Sequence, residues 1–419
     1  MIQTQEMLMD HISRDRELDK VRAKQEEDKV LTGYYGEYAT CRNLSYEEVE
    51  ANIKAGKPYV LRLRSQGSPD KEITFVDAIK GEIKLPENIH DIVLLKKDGI
   101  PTYHFAHAID DHLMRTTTVV RGGEWLASAP IHYELFHLLG FKMPAYAHTA
   151  HLMKFDEETG GKRKLSKRKD PELSLDYYRK DGYHPYTMKV YLLTLLNSNF
   201  EEWHEKFPDK DINEFPFSVE KMNQSGALFD KDKLHNICKN ELSKLSEEEL
   251  YDFLYDWAKE NEPENVEKWF GDREKMLQIL RLYMGVGAKR RRKDLMYAKQ
   301  IFELISYFFD GESAEEMDEF KLDEDMVSKI LKSYLAKYDH NDDNSVWFNK
   351  LKEIADEHGF ASDMKAYKAN PENFKGNVSD IAEAVRIAVT GRANTPDLWT
   401  IVHIMGEEQM TERIKKHIK

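Results

Sequence analysis

The chain has 419 residues, 41% of them hydrophobic, and a formal net charge of -14, which predicts about two to four packed domains and excludes both a disordered chain and a generic basic nucleic-acid binder. The first residues mix acids and bases and no apolar run approaches membrane-spanning length, so neither a secretory signal nor a membrane span is expected. The cysteines, Cys41 and Cys238, lie far apart and predict neither a disulfide framework nor a cysteine zinc site, as in a cytoplasmic protein.

Residues 1–90 predict a mixed α+β segment that begins with a helical stretch. Ser45 and Glu48 have the spacing of a capping box, which marks the start of a helix. Residues 59–63 and 73–79 follow as strand-like pieces.

The next segment predicts a strand that enters a short polar helix. Residues 92–95 are apolar and end at the turn signal Asp98-Gly99, and we expect the segment from Tyr103 to be the strand before the helix. Asp110-Asp111 lies on that helix, where capping or ion pairing competes with a role in a binding site.

Residues 116–140 predict a strand, a turn and a helix. The β-branched run 116–120 ends at Arg121-Gly122-Gly123. Ser128 is the expected N-cap of an amphipathic helix with Pro130 in its first turn, and Gly140 is its stop signal.

Polar and aromatic residues follow the strand of this unit. In open α/β sheets, ligands bind beyond the carboxyl ends of strands, so Arg121, Glu124 and Trp125 are expected at the mouth of a site. Ordinary packing at a sheet edge is the alternative for Trp125. His112, His132 and His137 are expected to be surface or core residues rather than ligands.

A basic stretch interrupts this acidic chain at residues 162–169, where six of eight positions are cationic. Its centre, Lys164-Leu165-Ser166-Lys167-Arg168, follows Gly160-Gly161 and predicts a mobile loop that closes over a polyphosphate. Lysine would supply a point charge, and serine would donate a hydrogen bond to a phosphate oxygen. A solvated loop is the alternative.

The remainder of the chain predicts helices. Ser246 and Glu249 form a second capping-box pattern, breaks are expected at residues 310–312 and 339–344, and an apolar stripe within 381–389 stops at Thr390-Gly391. The five consecutive cations at 289–293 fit either phosphate contact or a solvated helix start.

The two motif blocks, in this order, resemble class I aminoacyl-tRNA synthetases. Lys164-Leu165-Ser166-Lys167-Arg168 is similar to their KMSKS signature in the form found in glutamyl-tRNA synthetases. The block 103–125 resembles the segment of that family that ends in an R-G-E-E-W turn. The helical C-terminal part is similar to bacterial glutamyl-tRNA synthetases, whereas usual glutaminyl enzymes carry β-barrels there and glutamyl-queuosine paralogues carry no anticodon domain.

The resemblance implies an α/β plus all-α fold with a partial class I Rossmann catalytic domain. It implies four parts, which are the remainder of an inserted acceptor-stem domain (1–90), the second Rossmann half with the basic loop (91–170), a helical stem-contact region (171–271) and a helical anticodon-binding domain (272–419).

The resemblance also implies site residues. Glutamate would contact Tyr103, His107 and Arg121. The ATP-binding residues would be Glu124, Trp125, Leu152, Lys164, Leu165, Ser166, Lys167 and Arg168, of which Lys164, Ser166 and Lys167 would be catalytic. The sequence departs from the family pattern at His107, usually a small polar residue such as Asn, and at Gly123, usually Glu.

The implied reaction is ATP-dependent attachment of L-glutamate to glutamate tRNA, with glutamine tRNA as a second candidate substrate. The implied enzyme is a monomer that uses Mg²⁺ and needs no zinc. No HIGH-type signature precedes Tyr103, and the look-alike His137-Leu138-Leu139-Gly140 is expected to be a helix end. We therefore expect an N-terminally truncated form, inactive without the preceding half-site. A noncatalytic tRNA-binding protein derived from such an enzyme is the alternative.

Overall fold

The computed structural model describes residues 7–10, 15–156, 158–166, 168–309 and 317–419. Its contacts divide the chain into two compact units. The first comprises Met1–Leu165 and Leu193–Phe229, and the second comprises Ser166–Leu192 and Asp230–Lys419. In the described ranges, no helix has the length and apolar character that crossing a bilayer requires.

Strands belong to the first unit. In chain order they are β1 Met7–Asp10, β2 Val60–Leu63, β3 Glu72–Asp77, β4 Gly81–Pro86, β5 Val93–Leu95, β6 Thr118–Gly122, β7 Ala145–Thr149, β8 Leu152–Phe155, β9 Lys162–Lys164 and β10 Ala227–Leu228.

Helices occur in both units and dominate the second. In chain order they are α1 Asp15–Glu27, α2 Tyr46–Lys54, α3 Tyr103–Leu113, α4 Ala129–Leu138, α5 Leu175–Asp181, α6 Pro185–Leu196, α7 Phe200–Lys206, α8 Lys231–Leu242, α9 Glu247–Asn261, α10 Val266–Phe270, α11 Arg273–Met284, α12 Ala298–Ile305, α13 Glu324–Lys337, α14 Asn344–His358, α15 Met364–Ala369, α16 Val378–Thr390, α17 Leu398–Met405 and α18 Glu407–Lys415.

A mixed sheet of order β4-β3-β7-β6 positions the polar residues of the first unit. β3 and β4 are antiparallel, whereas β7 runs parallel to both β3 and β6. β3 alternates exposed and buried residues, as a strand with one covered face does. Ile73, Phe75 and Tyr146 belong to the core on that sheet. Because β3, β7 and β6 run parallel, their carboxyl ends meet at one edge.

α3 and α4 pack on a neighbouring core formed by Leu63, Leu94, Ala108, Leu135 and Phe136. The prediction of a strand at the start of this segment is wrong, because helix α3 begins at the first residue of the Tyr103 block. The strand is β5, earlier in the chain. Apolar positions at helical spacing decide the conformation of the block, since they pack on the core only as a helix.

The predicted N-cap of α4 is also wrong in its chemistry. Ser128 makes no capping hydrogen bond, although Pro130 does lie in the first turn. A short 3₁₀ turn, Gly123–Ser128, runs directly into the helix and leaves Ser128 with helical backbone angles, whereas a capping side chain needs an extended backbone.

The second unit is helical around one large core that includes Leu250, Leu280, Ile354 and Val385. Both predicted capping boxes are confirmed, at Ser45 in the first unit and at Ser246 in the second. Together with the mixed sheet, this unit confirms the predicted α/β plus all-α class.

The breaks between helices are partly confirmed. α13 ends and α14 begins around residues 339–344, and α16 ends at Gly391, whose positive φ of 73° favours glycine. The predicted break at 310–312 lies outside the described residues.

Two basic segments differ from their predictions. Residues 289–293 form no helix start, because they lie in an irregular exposed segment between α11 and α12. Lys162–Lys164 is a strand rather than a loop, since β9 pairs antiparallel with β8. The turn Gly160-Gly161 thus closes a hairpin-like return before the basic motif.

Candidate active site

Arg121 lies at the centre of a polar cluster at the end of β6. Its Nε donates to Nε2 of His148 at 2.9 Å, and its Nη1 lies 3.1 Å from Nδ1 of His132. The parallel register sets the first contact, because Arg121 and His148 are direct neighbours on β6 and β7. Its guanidinium also stacks 4.6 Å from the centre of the Tyr146 ring.

His148 is fully buried and connects Arg121 to an acid. Its Nδ1 lies 2.6 Å from Oδ2 of Asp77 at the end of β3. Arginine has only donors, so Nε2 of His148 accepts from it and Nδ1 carries the proton that is donated to Asp77. Burial is the main reason that the pKa of His148 lies below its ordinary value.

Asp77 is held as a carboxylate by its neighbours. Burial acts to raise the pKa of Asp77, but hydrogen bonds from the Lys80 amide, the His148 ring and the Ile79 amide outweigh burial and lower it. The negative charge of Asp77 is therefore separated from the Arg121 guanidinium by the imidazole ring of His148.

His132, on α4, is the second acceptor of Arg121. Burial, followed by electrostatic repulsion from His107 and Arg121, lowers the pKa of His132 to about 2, so the ring is neutral. Because its Nδ1 accepts from arginine, its Nε2 carries the proton and donates to Nδ1 of His104, 2.9 Å away.

An aromatic wall lies beside the guanidinium. The Tyr103 ring is 49% exposed, lies 4.5 Å from the Trp125 ring and stacks parallel to His107 at 5.9 Å. Trp125 is thus more than sheet-edge packing, because it contacts the first residue of α3 and lies 6.0 Å from Arg121.

His107 is buried beneath this wall. Its Nδ1 lies 2.5 Å from a carboxylate oxygen of Asp111, and its Nε2 lies 2.8 Å from the Tyr146 hydroxyl. Burial lowers the pKa of His107 and raises that of Tyr146, so the tyrosine hydroxyl donates and the imidazole accepts.

One nitrogen of the cluster has no partner. Nη2 of Arg121 is buried and makes no hydrogen bond with any residue the structure describes. Within the same residues no carboxylate lies in ion-pair distance of this guanidinium. A partly buried, unneutralised cation with an unpaired donor atom is suited to an anionic group of a ligand, above all a carboxylate.

Glu124 lies after β6 between two basic groups. Its Oε2 is 3.3 Å from Nδ1 of His151 and 3.8 Å from Nζ of Lys164. A Cβ on Gly122 would overlap this carboxylate, so a larger residue there would displace the Glu124 side chain from this position. A Cβ on Gly123, the other departure from the family pattern, would lie 3.3 Å from the Thr149 carbonyl oxygen.

The basic motif has an apolar anchor. Leu165 is only 2% exposed, and its amide donates to the carbonyl of Leu152 at 3.0 Å. Lys164 is exposed, so the buried leucine fixes the backbone while the neighbouring ammonium group reaches solvent.

The remaining motif residues belong to the second unit or fall outside the described ranges. The amide of half-buried Ser166 donates to Asp170 at 2.8 Å, and Arg168 is exposed in the turn that follows. Lys167 lies outside the described residues.

The structure brings the sequence-predicted Tyr103, His107, Arg121 and Trp125 into one cluster, together with contacting residues that sequence reasoning did not assign to the site. These are Asp77, His104, His132, Tyr146 and His148. A usable signal was present, because tyrosine and histidine at alternate positions of the Ala145–Thr149 strand must share one face.

No group of three or more metal-ligating side chains is found within the described ranges. The oxygen donor of the cluster best placed for a ligand is Glu124, which is 49% exposed.

Comparisons with known proteins give matches over nearly the whole chain. Residues 2–236 match the family described as class I tRNA synthetases (E and Q), catalytic domain, and residues 249–418 match an anticodon binding domain family.

The chain is 52% identical over 404 residues to a glutamate-tRNA ligase of Acetivibrio thermocellus, a match that covers 96% of this chain and 73% of that protein. It is 46% identical over 407 residues to a glutamate-tRNA ligase of Clostridium perfringens strain SM101, with the same two coverages. A solved glutamate tRNA ligase from Elizabethkingia meningosepticum, in complex with its amino acid, superposes with a TM-score of 0.72 at 25% identity and covers 99% of this chain and 79% of that one.

Proposed function

We propose a function from one premise: this chain belongs to the class I tRNA synthetases of the glutamate and glutamine type. It is a ligase of the aminoacyl-tRNA synthetase group that uses ATP, and it attaches glutamate to tRNA. The residue roles below are proposals within that function.

The observation that carries the choice of glutamate is the state of Arg121. Its hydrogen bonds go to neutral imidazoles, and its Nη2 is buried without a partner among the described residues. The side-chain carboxylate of glutamate supplies the missing acceptor and the missing charge. Glutamine would leave the arginine charge unpaired, which disfavours it strongly in a buried site.

Tyr103 and His107 would form the walls of the glutamate pocket. Tyr103 is the exposed face of the aromatic wall, and His107 is held neutral beneath it. Because a neutral His107 ring adds no charge beside the substrate, Arg121 would dominate the electrostatic potential of the pocket.

ATP would bind next to this pocket. We propose that Glu124, Trp125 and Leu152 contact its adenosine part. We further propose that the motif residues Lys164, Leu165, Ser166, Lys167 and Arg168 hold its phosphates, either directly or, for Leu165, through the backbone that it anchors.

The chemistry runs in two steps. The α-carboxylate of glutamate attacks the α-phosphorus of ATP, and pyrophosphate leaves, which gives glutamyl-adenylate. Negative charge builds on the phosphate oxygens in this transition state, and we propose that Lys164, Ser166 and Lys167 stabilise it. A hydroxyl of the terminal ribose of tRNA, by the family pattern the 2'-hydroxyl, then attacks the acyl carbon, and AMP leaves.

Magnesium fits this site as a companion of the substrate. Mg²⁺ prefers phosphate oxygens, water and one or two carboxylates over an all-protein cage, and Glu124 is the exposed carboxylate beside Lys164. When bound with ATP, the ion would shield the charge of the triphosphate.

The second unit offers a surface for the tRNA. A cavity of about 680 Å³ is lined by Arg281, Arg290 and Arg292 together with His403 and Asp397. Arg281 already pairs with Glu247 and Glu274, and Arg292 with Asp294, whereas Arg290 is an exposed cation of the kind that suits phosphates around an unstacked base. We propose that residues 272–419 bind the anticodon arm.

The other assignments of the family pattern are proposals of the same kind. We propose acceptor-stem contact for residues 1–90, catalysis for 91–170 and stem contact for 171–271, in a cytoplasmic monomer. Use of glutamine tRNA in addition to glutamate tRNA is a further possibility that charging of purified tRNAs would decide.

The test of this function replaces Arg121 with glutamine, in this chain and in the same chain extended upstream through its reading frame, and measures glutamate-dependent ATP-pyrophosphate exchange and tRNA charging. Arg121→Gln removes charge-assisted hydrogen bonds worth about 1.5 to 3 kcal/mol, so kcat/KM for glutamate should fall roughly ten- to a hundred-fold. Arg22→Gln is the matched control, because Arg22 is exposed and pairs with Asp19 three residues away.

A parental chain that activates glutamate and an Arg121→Gln variant that does not would support the assignment. Equal loss in both variants, or none in either, would contradict the role of Arg121. Tight tRNA binding without any glutamate activation would favour the noncatalytic alternative.

A further inference from the structure

We propose that Asp77, His148 and His132 are positioning residues that hold Arg121 through neutral imidazoles, so that its full positive charge stays available for the substrate carboxylate. This inference rests on the proposed function, because it assumes that Arg121 binds the glutamate side chain. It assigns roles to three buried polar residues that lie outside the motif blocks.

The first observation is the direction of the hydrogen bonds. An arginine cannot accept, so its contacts with His148 and His132 require a lone pair on the facing nitrogen of each ring. Each histidine is therefore neutral, with its proton on the nitrogen that faces away from Arg121.

Asp77 selects the tautomer of His148. Its Oδ2 accepts from Nδ1 of His148, while its Oδ1 accepts the backbone amides of Ile79 and Lys80 at 3.0 and 2.9 Å. Because the two amides hold Oδ1, the carboxylate presents Oδ2, which can only accept, to the imidazole. The proton of His148 is thus kept away from Arg121.

His104 selects the tautomer of His132 in the same way. Its Nδ1 accepts a hydrogen bond from the protonated Nε2 of His132, 2.9 Å away. The two histidines bond to Nε and Nη1 of Arg121 and leave Nη2, which is unpartnered among the described residues, as the donor for a ligand.

Neutral acceptors can orient Arg121 without neutralising its charge, which a direct ion pair would not do. A carboxylate in contact with Arg121 would orient the guanidinium equally well, but it would also neutralise it and compete with the substrate. Placing Asp77 one ring away orients the arginine and separates the charges by the width of an imidazole.

The central test is Asp77→Asn, which keeps the size of the side chain. The asparagine oxygen must accept the amides of Ile79 and Lys80, so its NH₂ group faces both Nδ1 and the backbone amide of His148, which donates to Oδ2 of Asp77 at 3.1 Å in the parent. The ring then takes the opposite tautomer and points an N–H at Nε of Arg121. We expect the glutamate KM to rise roughly ten- to a hundred-fold, as for a lost charge-assisted contact, with the ATP KM unchanged.

His148→Gln and His148→Leu form the matched pair. A glutamine amide can donate to Asp77 and accept from Arg121 at once, as the neutral imidazole does, whereas leucine can do neither. We expect the glutamine variant to retain much more glutamate affinity than the leucine variant. Asp98→Asn is the control, because Asp98 is a loop acid that accepts one backbone amide.

A second readout is independent of the reaction. In the full chain with ¹⁵N-labelled histidine, NMR distinguishes protonated from unprotonated ring nitrogens, and we expect His148 to carry its proton on Nδ1 in the parent and on Nε2 in Asp77→Asn. A parent with the proton on Nε2, or an unchanged tautomer in the variant, would overturn the inference.

The two readouts separate the inference from the function on which it rests. If neither this chain nor the same chain extended upstream through its reading frame activates glutamate, the proposed function fails, while the tautomer is still decided by NMR. If the parent activates glutamate and the tautomer changes but the glutamate KM does not, these residues are structural only and the positioning role is wrong.

Discussion

His132 shows how one residue can connect the fold to the site. It is fully buried, and its pKa is about 2, well below the ordinary value of a histidine. The groups that face it are Arg121 on β6, His148 on β7, and His104 and His107 on α3, with Asp111 paired to the last. Its neutral form is therefore built into the native state.

This burial predicts a loss of stability in mild acid. Below about pH 6.5 His132 is protonated in the unfolded chain but not in the folded chain, so the free energy of unfolding decreases as the pH is lowered. Between pH 6.5 and 5.0 the parent should lose about 1.5 kcal/mol more than His132→Asn, which has no group to titrate there. Urea unfolding of both proteins at the two pH values measures this difference, and identical losses would contradict the account.

Lys164 carries the second prediction at this scale. We expect Lys164→Met to lower adenylate formation roughly ten- to a hundred-fold, because it removes a charge-assisted contact with the phosphates. Lys162→Met, in the same strand and equally cationic, is the control and should change little. Equal effects of both would indicate a general field of the basic stretch rather than a contact.

The residues proposed to bind glutamate were easier to identify in the sequence than the residues that contact them. The block around Tyr103 and Arg121 is nearly contiguous and carries a recognisable pattern. Asp77 and His148 are 71 positions apart, and only the pairing of β3 with β7 brings them together. A single sequence contains no direct record of that pairing.

At the scale of elements, local chemistry predicted helices well where a side chain closes the helix end. Ser45 and Ser246 each accept the amide three residues on, and each pairs with a glutamate in return. Prediction failed where neighbouring structure decides. The 3₁₀ turn before α4 removed the cap at Ser128, and packing on the core turned the Tyr103 segment into a helix.

These observations give a prediction with an internal control. Ser246→Ala should lower the free energy of unfolding by about 1 kcal/mol, since it removes a capping hydrogen bond. Ser128→Ala should cost little, because Ser128 makes no such bond. Urea or thermal unfolding checks both, and a larger loss for Ser128→Ala would contradict the assignment of the caps.

At the scale of the molecule, acidic charge and tRNA binding coexist because the cations are local. The net charge is -14, yet Arg281, Arg290 and Arg292 line one cavity of the second unit. Composition alone predicted the broad class and the absence of a generic basic surface. It could not predict this cavity, because the irregular segment after α11 brings residues from distant helices together.

The cavity predicts a salt effect on tRNA binding. If Arg290 contacts a phosphate, Arg290→Ala should weaken binding and reduce the slope of log affinity against log salt by about one. Arg179→Ala is the control, because Arg179 is already paired with Glu260. A slope that changes equally in both variants, or in neither, would exclude the cavity as a phosphate contact.

The central claim is that this chain provides the glutamate-binding and activating residues of a glutamate-tRNA ligase. The most direct measurement is charging of purified tRNA with glutamate and with glutamine, by this chain and by the same chain extended upstream through its reading frame, each with Arg121 intact and as Arg121→Gln. We predict charging with glutamate, not glutamine, in at least one of the two forms, and its loss on the substitution. Charging in neither form, or charging that ignores Arg121, would contradict the claim.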